Sequence, residues 1–186
     1  DAFVKRRIRY WDRAATKDGG DWTAGPRLAA LRDGKYLIED VVRRQEGPGE
    51  VKRLIKHCAQ MDPPGTIIGL EQDPGSAGVF EVEEYFRELK GYDVRAYLKT
   101  NDKITQAKPV SGAVFNGLVG IIEAPWNHAL MGELEDFPKG ITDSQWRGKI
   151  HDDQVDGLAG AYRALVEEED STKRKTSSIR MLRGGR

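Results

Sequence analysis

GKYLIEDVVRRQEGPGEVKRLIKHCAQMDPPGTIIGLEQ (Gly34–Gln72) changes its periodicity halfway along. The first part alternates and follows Asp33-Gly34, a favoured two-residue hairpin turn. It therefore forms the second arm of a hairpin whose first arm is RLAAL (Arg27–Leu31). After Gly47-Pro48-Gly49, the residues Val51, Leu54, Ile55, Cys58 and Ala59 take helical spacing, and Asp62-Pro63-Pro64-Gly65 stops the helix. TIIGLEQ (Thr66–Gln72) is a short, nearly continuous apolar run, the mark of a strand buried on both faces.

Upstream, RIRYWDR (Arg7–Arg13) alternates and is aromatic, so a third strand precedes the hairpin through the turn-rich TKDGGDWTAG. Downstream, the spacing predicts a helix from Ser76 to about Leu89, a strand at Asp93–Leu98 and a helix at Lys103–Asn116. A strand at Leu118–Ile122, a short helix at Ala129–Asp136 and a long one at His151–Glu169 follow. The last carries Val155, Leu158, Ala159, Tyr162, Leu165 and Val166 on one stripe. An antiparallel three-strand meander followed by alternating helix and strand implies a mixed sheet with helices packed on its faces. That is the plan of the ribonuclease H-like α/β fold, expected over residues 1–170. Residues 171–186 hold basic and no acidic side chains and little to pack, and are expected to be a flexible tail.

Composition narrows the chemistry. The chain has 186 residues, within the range of one domain at roughly 100–200 residues. Its 30 basic and 30 acidic residues cancel, so bulk charge names no partner. No apolar run approaches the ~18–20 residues needed to span a bilayer, and no membrane contact is expected. The start DAFVKRRIR lacks a signal peptide and a Met, and reads as a piece of something longer. Cys58 is the lone cysteine, and His57, His128 and His151 are scattered, so a metal here would be bound through oxygen.

Oxygen ligands are well placed. Asp12 closes the first strand, Glu71 closes the central buried strand with Asp73 two residues on, and Asp152, Asp153 and Asp156 begin the last helix. An unpaired buried carboxylate costs several kcal/mol. If the first strand neighbours the Glu71 strand, Asp12 and Glu71 lie roughly 5 Å apart. They would repel unless a divalent cation intervened. Carboxylates with water suit Mg2+ or Mn2+, and two such ions roughly 4 Å apart serve phosphodiester cleavage. Spacing leaves open which of the helix aspartates takes part: Asp152 and Asp156 border the apolar stripe, and Asp153 lies further round toward solvent. The bland alternatives are a turn residue at Asp12, an Asx-type turn at Glu71 or Asp73, and a helix cap at Asp152/Asp153.

The pieces YWDRA (Tyr10–Ala14), IGLEQDPGSAG (Ile68–Gly78), LKTNDKITQAKPVSGAVFNGLV (Leu98–Val119), APW…ELEDFP (Ala124–Pro138) and HDDQVDGLAGAY (His151–Tyr162) run in order along nearly the whole chain. Together they resemble the C-terminal nuclease domain of the large terminase subunit of tailed bacteriophages. The resemblance implies a ribonuclease H-like endonuclease that cuts concatemeric double-stranded DNA with two Mg2+ or Mn2+ ions. Matched by position, its metal ligands fall on Asp12, Glu71 and Asp153, with Asp156 beside them as a further catalytic carboxylate. It also implies other terminase and portal components as partners, in the cytoplasm of an infected bacterial host.

Relatives often carry an Arg where this chain has Gln106, which leaves Lys103 and Lys108 as the DNA contacts in that stretch. Arg13, Lys17 and Lys99 are further phosphate candidates, Trp22 is a candidate for bordering the groove, and Trp126 and Trp146 for covering the core. The loop opened by Phe137-Pro138-Lys139-Gly140 is a candidate flap. No G-x-x-x-x-G-K-[ST] loop is present, so the ATPase motor of the family is expected to be absent from this chain. The rivals are a junction resolvase or hybrid nuclease of the same fold, and a non-catalytic DNA-binding or assembly module.

Overall fold

The computed structural model describes residues 2–14, 21–99, 103–137 and 151–183, with side chains through Ser171. β1 (Val4–Trp11), β2 (Thr23–Leu31) and β3 (Tyr36–Arg44) form the meander. Then α1 (Pro48–Met61) leads to β4 (Ile67–Gln72), α2 (Ser76–Glu88) to β5 (Val94–Leu98) and α3 (Lys103–Phe115) to β6 (Val119–Ile121). α4 (Asn127–Asp136) and α5 (Asp153–Arg183) follow. The strands make one sheet in the order β5-β4-β1-β2-β3-β6. β2 is antiparallel to β1 and β3, whereas β4 is parallel to β1 and β5, and β6 is parallel to β3.

The two-residue period of the strands sorts their side chains into two cores. Ile8 and Tyr10 on β1 and Ile67 on β4 face α5, in a core completed by α3 and α4. Trp11 on β1 and Ile68 and Leu70 on β4 face the other way, against α1 and α2. Pro48 begins α1, and Asp62 ends it by donating its N–H to the Cys58 carbonyl, 2.8 Å away, ahead of Pro63-Pro64.

α5 differs from the expected helix with one apolar stripe ending at Glu169. Every residue from Asp153 to Leu165 is buried or half-buried, because the sheet packs on one side of the helix and α3 and α4 on the other. Its backbone stays helical to Arg183. The helix lies close on the sheet because it carries glycine there: a Cβ on Gly160 would meet the Tyr10 ring at 2.3 Å, and one on Gly157 would meet Pro26 at 2.9 Å. Among the described residues no helix is long and apolar enough to cross a membrane.

Candidate active site

The site follows from carrying the strand period one step further. Trp11 is level with Leu70 across the parallel β1–β4 pair, so Asp12 comes level with Glu71, one strand spacing away, ~4.8 Å. Asp12 lies past the end of β1 but is still held by the sheet, exchanging N–H···O bonds of 3.0 and 2.9 Å with Ala24. Alternation turns both carboxylates to the face that carries Tyr10 and Ile67, the face on which α5 lies. The first turn of α5 brings Asp152, Asp153 and Asp156 to the same end of the sheet, and the Asp156 N–H bonds the Asp152 carbonyl at 2.9 Å.

Burial and charge crowding both show in the acidities. The Asp12 carboxyl is pushed up to about 8, first by burial, then by the charges of Glu71 and Asp156, with Asp153 adding and Lys99 opposing. Asp156 is pushed up to about 6 by burial, against a hydrogen bond from Lys103, with Asp152 and Glu71 adding. Burial also raises Asp153, against a hydrogen bond from the Trp22 N–H. Asp156 is thus the α5 carboxylate whose charge couples to both Asp12 and Glu71. Asp153 does not lean toward solvent as the helix spacing suggested: it is 6% exposed, with the Trp22 backbone and His151 against it. Its Oδ2 has no hydrogen-bond partner among the described residues, and His151 Nδ1 stands 3.6 Å away.

Two ammonium groups sit on this cluster. Lys99 Nζ is 3.0 Å from Glu71 Oε2. Lys103 Nζ is 2.9 Å from Asp152 Oδ1 and 2.6 Å from Asp156 Oδ2. Among the described residues no three His, Cys, Asp or Glu side chains converge closely enough to hold an ion as they stand. The donor set is nevertheless all carboxylate oxygen, and its mutual repulsion is what a hard dication relieves, so the residues fit such an ion by donor type.

The start of α5 is pinned by residues that carry no motif in the sequence. Buried Glu133 on α4 accepts the Gln154 N–H at 2.9 Å and the Gln154 Nε2–H at 2.7 Å, and pairs with Arg43 at 3.1 Å. The Arg43 guanidinium lies 4.1 Å from the centre of the Trp22 ring, which meets the His151 ring nearly at right angles. The one sequence signal for Glu133 is its position three residues after the fully buried Leu130, on the inner side of a short helix.

The remaining basic and aromatic candidates separate. Lys103 lies in the cluster, whereas Lys108 is exposed beside an apolar groove between α3, α4 and α5. Arg13 is not free for phosphate. Its Nη2 donates to the Glu71 carbonyl at 2.5 Å, Nη1 is 3.2 Å from Glu81, and the guanidinium stacks 4.8 Å over Tyr85. Trp22 borders the site, and Trp126 packs against the core. Lys17, Trp146 and the flap candidate from Pro138 onward lie outside the described residues.

The model of the terminase RNase H-like domain matches residues 9–165. The large terminase nuclease of thermophilic phage G20c, crystallised with bound zinc, is similar in structure, with a TM-score of 0.60 and 15% identity over 85% of this chain and 80% of that one. The yeast mitochondrial Holliday junction resolvase Ydc2 gives a TM-score of 0.49 and 10% identity over 86% of this chain and 77% of that one. No curated protein matches the sequence. The mixed sheet with helices on both faces is thus the ribonuclease H-like fold read from the strand and helix periods.

Proposed function

Because the chain belongs to the terminase RNase H-like domain family, we propose that it is the DNA-cutting part of a viral packaging terminase. It is a divalent-metal-dependent endonuclease acting on concatemeric double-stranded DNA. The observation that carries this reading is that Asp12 and Glu71 end neighbouring strands on the sheet face that α5 covers, with Asp156 of that helix near enough for its charge to act on Asp12. The zinc bound in the similar phage nuclease supports a divalent cation.

Asp12 and Glu71 hold two Mg2+ or Mn2+ ions from the sheet. Asp156 and Asp153 hold them from α5. Bound there, the ions supply an acidified water and neutralise charge building on the phosphate. Lys103 and Lys108 attract the DNA backbone through its phosphates, without reading bases. Other terminase and portal components are the protein partners, and the host cytoplasm is the compartment.

Plasmid cleavage in Mn2+ tests the reading. Wild type is expected to nick and linearise the plasmid. Chelation should abolish cutting, and Asp12→Asn, Glu71→Gln and Asp156→Asn should each lower the rate at least ~100-fold. Variants that match wild type would make the chain a non-catalytic assembly module. Cutting confined to four-way junctions or RNA–DNA hybrids would make it a resolvase or hybrid nuclease. Either result overturns the proposal.

A further inference from the structure

We propose that Lys103, seconded by Lys99, is a built-in counter-ion that keeps the carboxylates from gathering as a ligand set until a dication and a DNA phosphate arrive together. The inference rests on the nuclease reading and adds a coupling between its two ligands.

Lys103 Nζ bridges Asp152 and Asp156 from the first residue of α3, and Lys99 Nζ sits on Glu71 from just beyond β5. An oxygen already paired with an ammonium is one for which a dication must compete. Asp12 receives no such direct ion pair among the described residues.

The lysines are built to leave and the carboxylates to stay. The side chains of Lys99 and Lys103 are 40% and 41% exposed, against 11% for Glu71 and 17% for Asp156. Each lysine has a fixed base: the Lys99 N–H bonds the Gln72 carbonyl at 2.9 Å, and Lys103 is held by its helix. Their ammonium ends can therefore swing out without unpacking either core.

A dication entering alone must displace these ammonium groups into water. If DNA arrived with it, the displaced ammonium groups would gain the phosphate as a partner, and the displacement would cost less. Metal and DNA then favour each other's binding, and by linkage each raises the other's affinity by the same factor. Removing the ammonium should tighten DNA-free metal binding and shrink that factor.

Calorimetric titration with Mn2+ alone, in the absence of DNA, reads this directly. Lys103→Gln is expected to bind Mn2+ about tenfold more tightly than wild type, the factor that ~1.4 kcal/mol of removed competition represents. Lys103→Arg should stay close to wild type. Lys56→Gln, on the exposed side of α1 across the sheet, should not change Mn2+ affinity. Lys99→Gln, acting through Glu71, should also tighten binding, and it keeps the test open if Lys103→Gln does not fold. Unchanged or weaker Mn2+ binding in the folded variants overturns the proposal. If wild type cuts DNA with Mn2+ in that case, only this inference falls. If wild type neither binds Mn2+ nor cuts, the nuclease reading falls with it.

Discussion

A buried carboxylate beside other carboxylates keeps its proton because it is out of water and next to like charge, and at Asp12 this has a measurable consequence. The unfolded chain ionises Asp12 near 3.8, whereas the folded chain holds the proton up to about 8. Between those values the native state binds more protons, so metal-free stability falls as pH rises through that window. Asp156 contributes with the same sign up to about 6. Asp12→Asn removes this penalty and should be more stable than wild type at pH 8 without metal, by roughly 1–3 kcal/mol, since each tenfold change in proton affinity is worth ~1.4 kcal/mol. In thermal melts the difference should shrink toward pH 4, and equal melting at pH 8 would refute a raised Asp12. Asp62, on the opposite face of the sheet, has the reverse sign. Burial would raise it, but Arg9, which chelates it through two bonds of 2.7 Å, and Arg27 at 2.6 Å together hold it below the ordinary range. Its contribution is present above that range and is lost as pH falls. Arg9 is 2% exposed and would keep, among the described residues, only Asp40, 2.7 Å from its Nη2, and the Gly25 carbonyl, so Asp62→Ala should cost about 1–3 kcal/mol in denaturant unfolding, the penalty for buried donors left unmet.

At the scale of elements, the site depends on how closely α5 lies on the sheet and on where it starts. Gly160 faces the Tyr10 ring with no room for a methyl group. Gly160→Ala should push the helix outward, cost about 1–3 kcal/mol, and lower cleavage more than that loss of stability explains by drawing Asp156 away from Asp12 and Glu71. Glu133 anchors the first turn through Gln154. Glu133→Ala should destabilise the chain by about 1–3 kcal/mol, the cost of leaving buried donors unmet, with faster amide exchange at Gln154 as the local readout. Periodicity ends α5 too early because the apolar stripe stops at Val166. Backbone helicity does not need a stripe, and Glu, Lys and Arg sustain it well.

At the scale of the whole molecule, binding of a dication to the folded cluster alone should stabilise the fold. Mn2+ at 100 times its Kd should add about 2.7 kcal/mol, seen as a rise in melting temperature that Asp12→Asn lacks. That Asp12 and Glu71 each close a strand was legible in the sequence, whereas their nearness was expected only if those two strands were neighbours, as β1 and β4 are. Each carboxylate stands one step past an apolar strand, and the two-residue period assigns its face before any neighbour is known. The choice among Asp152, Asp153 and Asp156 was not legible, because α5 is buried on two sides and a single apolar stripe misstates which direction is outward. Glu133, Arg43 and the lysine pairings were equally hidden, for Glu133 stands 21 residues from Gln154 and Lys103 stands 49 from Asp152. Local periodicity thus settled the strands and the faces of their end residues, since backbone geometry enforces it residue by residue. Tertiary packing alone decided which charges meet, since that depends on how separate elements are docked.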